Sequence, residues 1–207
     1  MTGEEFIKVL KKKRYSYEIE GDKILVTHRG YVWLSDLKTL PPGVEFKNKG
    51  YVNLEILETL PPGVEFKNSG SVFLRSLETI PPGVEFMNGG GVDLRSLETL
   101  PPGVEFMNGG WVILRSLKTL APGVEFKNKG SVNLDRLETL PPGVHFKNGG
   151  DVNLGSLETL APDVEFKNGE DVRLSGLGWV KSKEGIRIEG VENKRLLNLM
   201  IKKELFI

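Results

Sequence analysis

Residues 44–54 read VEFKNKGYVNL. Every second position, Val44, Phe46, Asn48, Gly50, Val52 and Leu54, is apolar or small, and the alternation is unbroken. A period of two marks extended chain with one buried face. Asn48 and Gly50 lie mid-stretch, where a bend is favoured. The stretch therefore predicts two short strands, Val44-Glu45-Phe46 and Val52-Asn53-Leu54, on adjacent faces of one core. After Leu54 the spacing changes to threes, with Leu57 and Leu60 next. A tight helical turn or a polyproline-like arc would carry both inward. Pro61-Pro62-Gly63 then turns the chain, proline fixing φ and glycine supplying a positive φ.

The same phrase restarts at Gly30, Gly50, Gly70, Gly90, Gly110, Gly130 and Gly150, a period of 20 residues without insertion or deletion. A unit this small cannot bury its own apolar side, but stacked copies can. Coils about 4.8 Å apart, seven of them, make a rod of roughly 34 Å. Equivalent residues then stack. Phe46, Phe66, Phe86, Phe106, Phe126, Phe146 and Phe166 share one register, and Leu37, Leu57, Leu77, Leu97, Leu117, Leu137 and Leu157 share another. The expected fold is an all-β repeat solenoid, a parallel β-solenoid with 20 residues per coil and a short capping α-helix at each end.

Leu57 to Val64, Leu-x-x-Leu-Pro-Pro-Gly-Val, resembles the Leu-x-x-Leu-Pro-x-x-Leu stretch of short bacterial leucine-rich repeats. The fuller pattern LPPGVEFxNGGxVxL and the ending KRLLNLMIKK resemble uncharacterised bacterial and phage proteins with leucine-rich-repeat-like solenoids. The resemblance covers nearly the whole chain and implies architecture, with no activity attached. Asn48 lies between Phe46 and Val52 rather than after a Leu-x-x-Leu-x-Leu strand. That departure favours a straighter β-solenoid over a curved horseshoe.

Three regions follow: an N-terminal cap over 1–29, the solenoid over 30–177 and a C-terminal cap over 178–207. Thr2-Gly3-Glu4-Glu5 has the form of a capping box. Phe6, Ile7 and Leu10 give one apolar helical face, and the basic run Lys11 to Arg14 suits a helix C-terminus. Tyr15 to Thr27 alternates about Gly21-Asp22, which predicts two short strands. Ile24 and Val26 precede Val44 and Phe46 by one period, so this is a half-repeat in register. At the other end Asp163 and Glu170 replace glycines, and Gly178-Trp179-Val180 breaks the phrase. Asn193 opens an expected helix to about Glu204, with Leu196, Leu197, Met200 and Ile201 on its apolar face. Trp179 and that helix are expected to cover the open end.

Lys plus Arg and Asp plus Glu are both 28. That balance provides no global field for nucleic acid or an anionic membrane. There is no cysteine, no signal-peptide pattern and no long apolar run, so the expected location is cytoplasmic. The Asn column, Asn48 to Asn168, reads as a ladder of amides bonding one another and the corner backbone. The Thr column, Thr39 to Thr159, is single, unlike the paired ranks of ice-binding surfaces. Glu45, Glu65, Glu85, Glu105, Glu125 and Glu165 read as an outward, solvated row with His145 in the remaining place. Neither His28 nor His145 has a companion that suggests catalysis, so neither an enzyme nor a cofactor or metal site is expected.

Copies disagree most at three outward positions beside Val32 and Leu34. Tyr31, Trp33, Tyr51, Phe73, Trp111 and Ile113 are expected on one exposed sheet face, beside a row of Arg75, Arg95 and Arg115. Aromatics with arginine are common at interfaces. The expected function is a non-enzymatic scaffold binding a protein partner, or itself, through this face. The alternatives are a polysaccharide or ice binder and an engineered repeat with no native ligand. Unprotected terminal strands invite end-to-end association. Deleting residues 191–207 is therefore expected to cause aggregation in sedimentation measurements, and an unchanged soluble monomer would contradict the capping role.

Overall fold

The computed structural model describes residues 1–161, 164–174 and 178–181. It is a parallel β-solenoid of about seven coils. The chain opens with helix α1 (Gly3–Lys12), followed by β1 (Tyr17–Glu20) and β2 (Lys23–Val26). The capping box forms: the Glu5 amide donates to Thr2 Oγ1 at 3.2 Å, and the Thr2 amide donates to Glu5 Oε2 at 2.7 Å. At the other end Arg14 adopts φ 59°, letting the Tyr15 amide reach Leu10 O at 2.9 Å and the Arg14 amide reach Lys11 O at 3.1 Å. This is a Schellman closure with arginine where glycine is usual. Phe6 and Leu10 are fully buried and plug the first end of the core.

The antiparallel β1–β2 hairpin turns at Gly21, and β2 pairs in parallel with the first coil, Ile24 opposite Val44 and Val26 opposite Phe46. The half-repeat is thus in register. From there the solenoid has two long sheets. The first runs from the hairpin through Val44–Phe46 and Glu65–Phe66 to His145–Phe146 and Glu165–Phe166. The second runs from Val32–Trp33 through Val52–Asn53, Val72–Phe73, Val92–Asp93, Val112–Ile113 and Val132–Asn133 to Val152–Leu154 and Asp171–Leu174. Within each solenoid sheet the pairing is parallel and offset by one period.

The inward parity read from residues 44–54 holds. Val44, Phe46, Asn48, Val52 and Leu54 are all fully buried. The phenylalanines stack face to face from Phe46 to Phe166, with centroids 5.0–5.4 Å apart and planes within 9°. After the second-sheet strand the chain makes a tight turn, as in Leu57 N–H to Leu54 O at 3.0 Å. Thr-Leu pairs such as Thr99–Leu100 and Thr119–Leu120 add short parallel bridges on the third side. The Pro-Pro-Gly and Ala-Pro-Gly turn glycines, Gly43 to Gly143, all have φ of 72–75°.

The asparagine corner keeps one half of the expected ladder, since the amides satisfy the corner backbone, and departs from the other half. Asn108 Nδ2 donates to Gly110 O at 3.0 Å and Trp111 O at 3.2 Å in its own coil, and to Gly90 O at 2.9 Å in the coil before. Asn48, Asn68, Asn88, Asn128 and Asn148 repeat this pattern. The amide is committed to backbone carbonyls, so it does not bond the next asparagine. The opposite amide orientation would set an oxygen against three carbonyl oxygens. The outward glutamate row also needs correction at one end. Glu45 is buried, 4% exposed, with Lys67 Nζ at 2.9 Å and Lys47 Nζ at 3.4 Å. The long lysine stems of its own and the next coil cover it.

At the far end Gly178–Lys181 pairs antiparallel with Asp171–Leu174 and closes the second sheet. The reversal in direction fits the broken phrase at Gly178. The expected helix from Asn193, and the turn residue Asp163, lie outside the described residues.

Asn108 tests the corner. Asn108→Ala removes one donor from each of three corner carbonyls, which keep their inter-coil amide partners, and should destabilise by about 1–3 kcal/mol in urea unfolding. Asn108→Asp should be worse at neutral pH, since it adds a carboxylate to the same carbonyls. Protonation restores one donor and raises the folded pKa above the unfolded one, so the Asp penalty should shrink as pH falls. An Asp variant milder than Ala at pH 7 would contradict this account.

Candidate functional site

The repeat leaves few outward positions free to vary, and on the second sheet they lie side by side at the coil rise. Tyr31 and Trp33 are the most exposed large rings, at 63% and 49%. Tyr31 stacks on Tyr51, with centroids 4.2 Å apart. Trp33 meets Tyr51 edge-on at 6.0 Å, Tyr51 meets Phe73 edge-on at 5.8 Å, and Phe73 meets Trp111 at 6.5 Å. Five rings from four coils thus form one contiguous cluster. Arg75 places its guanidinium over Phe73 at 5.1 Å, a cation–π contact.

Trp111 reaches Phe73 across an intervening coil because that coil has Gly91 at the equivalent place. A Cβ on Gly91 would lie 2.3 Å from the indole carbons. The missing side chain lets the indole lie over the backbone. Ile113, half-buried, sits beside Asp93 and Asn133 in the strand register.

Beneath the rim lies a charge network. Asp93 was expected outward, yet it is only 1% exposed. Arg75 Nε donates to Asp93 Oδ2 at 2.9 Å, and Arg95 Nη2 donates to the same oxygen at 2.6 Å. Arg75 Nη1 continues to Glu55 Oε1 at 2.8 Å. The two arginine stems cover the carboxylate. Burial pushes the Asp93 carboxyl up, but the hydrogen bonds from Arg95 and Arg75 outweigh it and hold it below its usual 3.8. Asn53 is likewise 6% exposed, and its Oδ1 accepts from the Glu55 amide at 3.0 Å.

The expected single arginine row therefore divides. Arg75 and Arg95 are tied to Asp93, whereas Arg115 is exposed, joins no ion pair among the described residues and lies with Arg136 and Arg173 toward the far end. Arg136 and Arg173 escaped the sequence reading because each is displaced from the row, Arg136 by one place and Arg173 into the strand. The anchoring role of Asp93 was also missed. Its signal was the only acidic residue in its strand column, flanked by arginines one coil before and two places after.

On the first sheet His145 Nδ1 lies 3.2 Å from Glu125 Oε1, with Lys147 at 2.9 Å from the same oxygen. Hydrogen bonds from Lys127, Lys147 and His145 lower the Glu125 carboxyl to about 2. Among the described residues no three His, Cys, Asp or Glu side chains gather as metal ligands, and no helix is long and apolar enough to cross a membrane.

No protein-family profile, curated protein or solved structure matches the chain. The arrangement of its own residues is therefore the basis for a functional reading.

Asp93 supplies a pH test. Its folded carboxyl titrates below the unfolded one, so its stabilisation is fully present above about pH 4 and is lost as pH falls through the folded value. Asp93→Asn should cost about 1–3 kcal/mol at pH 7 and remove this part of the acid-side slope. Urea unfolding at several pH values reads both, and an unchanged slope would contradict the network.

Proposed function

We propose that this protein is a non-enzymatic scaffold that binds a protein partner through the outward face of its second sheet. The observation that carries this reading is the five-ring cluster, with Tyr31 and Trp33 about half or more exposed at its open end. Contiguous exposed aromatic surface is uncommon on a soluble monomer. Rigid rings bordered by arginine offer a large contact area at small entropic cost. Val52–Asn53 and Val72–Phe73 are paired on both sides, and the edge strand Val32–Trp33 pairs with Val52–Asn53 while its Trp33 amide donates to Tyr15 Oη at 2.9 Å, so the rings are held in place before a partner arrives. The reading adds to the leucine-rich-repeat-like resemblance, which implies architecture alone. The absence of cysteine suits action in a reducing compartment, and the cytoplasm is the proposed location.

The single Thr column gives the ice reading less support. Glu58, Glu98 and their partners Lys38 and Lys118 crowd its border with ion pairs. A polysaccharide could stack on the rings, and the test separates it from a protein.

Partners are captured from the native host with the purified protein, then expressed and titrated against wild type and Tyr31→Ser/Trp33→Ser. The double variant should weaken binding at least tenfold while retaining the wild-type Tm, since both side chains lie at the rim. Equal affinity for both forms would overturn the reading, as would capture of glycans on an array with no protein partner. Sedimentation of the two forms separates self-association from binding a different protein.

A further inference from the structure

The turn after the second-sheet strand carries another feature, toward the end of the face away from Tyr31 and Trp33. Arg95, Arg115, Arg136 and Arg173 line an open depression of 530 Å³. Ser96, Ser116, Asn133 and Asn153 add hydroxyls and carboxamides, and Asp135 is its one carboxylate. Gly155 stands in the row that holds Arg75, Arg95 and Arg115 in other coils. A Cβ there would lie 2.5 Å from Asp135 Oδ1. The Asp135 carboxylate takes the place that a side chain at Gly155 would fill, at the edge of the depression.

The charges in this depression are not balanced from within. Arg95 is held by Asp93, and Arg173 lies 3.9 Å from Asp135. Arg115 and Arg136, on consecutive coils, join no ion pair among the described residues. In the glutamate column lysine compensates part of the charge, as Lys67 does between Glu45 and Glu65. Two uncompensated guanidiniums at neighbouring levels repel each other. They also present planar donor forks suited to carboxylate or phosphate oxygens.

The extent of the basic surface selects among anionic ligands. From the coil of Arg95 to that of Arg173 is on the order of 19 Å at the β-sheet spacing, which an extended peptide of about six residues spans. A long polyanion following the rod would meet Glu55 and Asp36, which occupy the same two rows in earlier coils. The balanced net charge gives no long-range field to gather nucleic acid. We propose that this depression binds a short acidic segment of a protein partner, with Arg115 and Arg136 taking its carboxylate or phosphoserine oxygens. The proposal rests on the protein-binding reading above and gives that partner a chemistry.

The test uses two fluorescein-labelled hexapeptides, one of glutamate and one of serine with two phosphoserines, followed by anisotropy. Inorganic phosphate and a single-stranded oligonucleotide serve as competitors. At least one peptide should bind saturably and weaken as salt rises. Arg136→Ser should weaken it at least tenfold. This substitution installs the residue that Ser76, Ser96, Ser116 and Ser156 supply at the same place, so the coil is preserved. Arg115→Ala, read beside its Tm, should do the same. Asp135→Asn should tighten binding, and Tyr31→Ser/Trp33→Ser should leave it unchanged. Failure of both peptides to saturate, or indifference to Arg136→Ser, would overturn the proposal. So would an oligonucleotide binding more tightly, or inorganic phosphate competing as well as the peptides. Peptide binding together with a native partner indifferent to Tyr31 and Trp33 would remove the aromatic reading alone.

Discussion

A strand of two residues has no stability of its own, and the solenoid is built almost entirely from such strands. Each holds its place only because the coils before and after present the same backbone groups at the same level. The fixed period makes this possible. Lys67 N–H reaches Phe46 O at 2.8 Å, and Gly70 N–H reaches Gly50 O at 3.2 Å. At the corner between the sheets the carbonyls of Gly50, Gly70, Gly90, Gly110 and Gly130 each accept the glycine amide of the next coil and have a further lone pair to satisfy. The asparagine amide supplies donors there, once per coil, to its own corner and the one before. Phenylalanine stacking, leucine burial and the outward columns all depend on that shared rise.

The same rule that stacks apolar residues also stacks charges. A glutamate column would repel itself, and the chain relieves this with lysine two places on. Lys67 bridges Glu45 and Glu65, and Lys127 and Lys147 flank Glu125. Where Met87 and Met107 replace lysine, Glu85 and Glu105 form no ion pair within 4.0 Å among the described residues. Asp93 solves the converse problem on the second sheet. One buried carboxylate organises two arginines from successive coils, and the exposed parts of those arginines border the aromatic cluster. Stability and surface chemistry are therefore set by the same vertical neighbours.

Legibility in the sequence follows this division. The parity of residues 44–54 specifies inward and outward, because a period of two has only two outcomes. It placed the phenylalanines, the asparagines and the half-repeat at Ile24 and Val26 correctly. Parity says nothing about how far an outward residue is covered. Glu45, Asn53 and Asp93 point outward and are nevertheless buried; lysines of its own and the next coil lie over Glu45, and arginines of its own and the preceding coil lie over Asp93. The amide-to-amide half of the ladder failed for a related reason. Asparagine spacing is compatible with side-chain bonds between coils, but the corner carbonyls compete for the same donors and are closer. Arg136 and Arg173 were missed because a row was read at one position, whereas a depression gathers side chains from three.

A solenoid thus has two directions of meaning. Along the chain the sequence repeats, and repetition specifies the core. Across the coils the outward residues differ, and side chains meet partners one or two periods away. Trp111 touching Phe73 over Gly91 is an instance, as is Arg75 joining Glu55 to Asp93. The small residues matter as much as the large ones, since Gly91 makes room for an indole and Gly155 for the Asp135 carboxylate. A ligand that reads this face must lie along the rod and cross several coils. On the proposed reading the aromatic end and the basic end would contribute to one interaction, with rings supplying apolar contact and guanidiniums fixing the direction in which the partner lies.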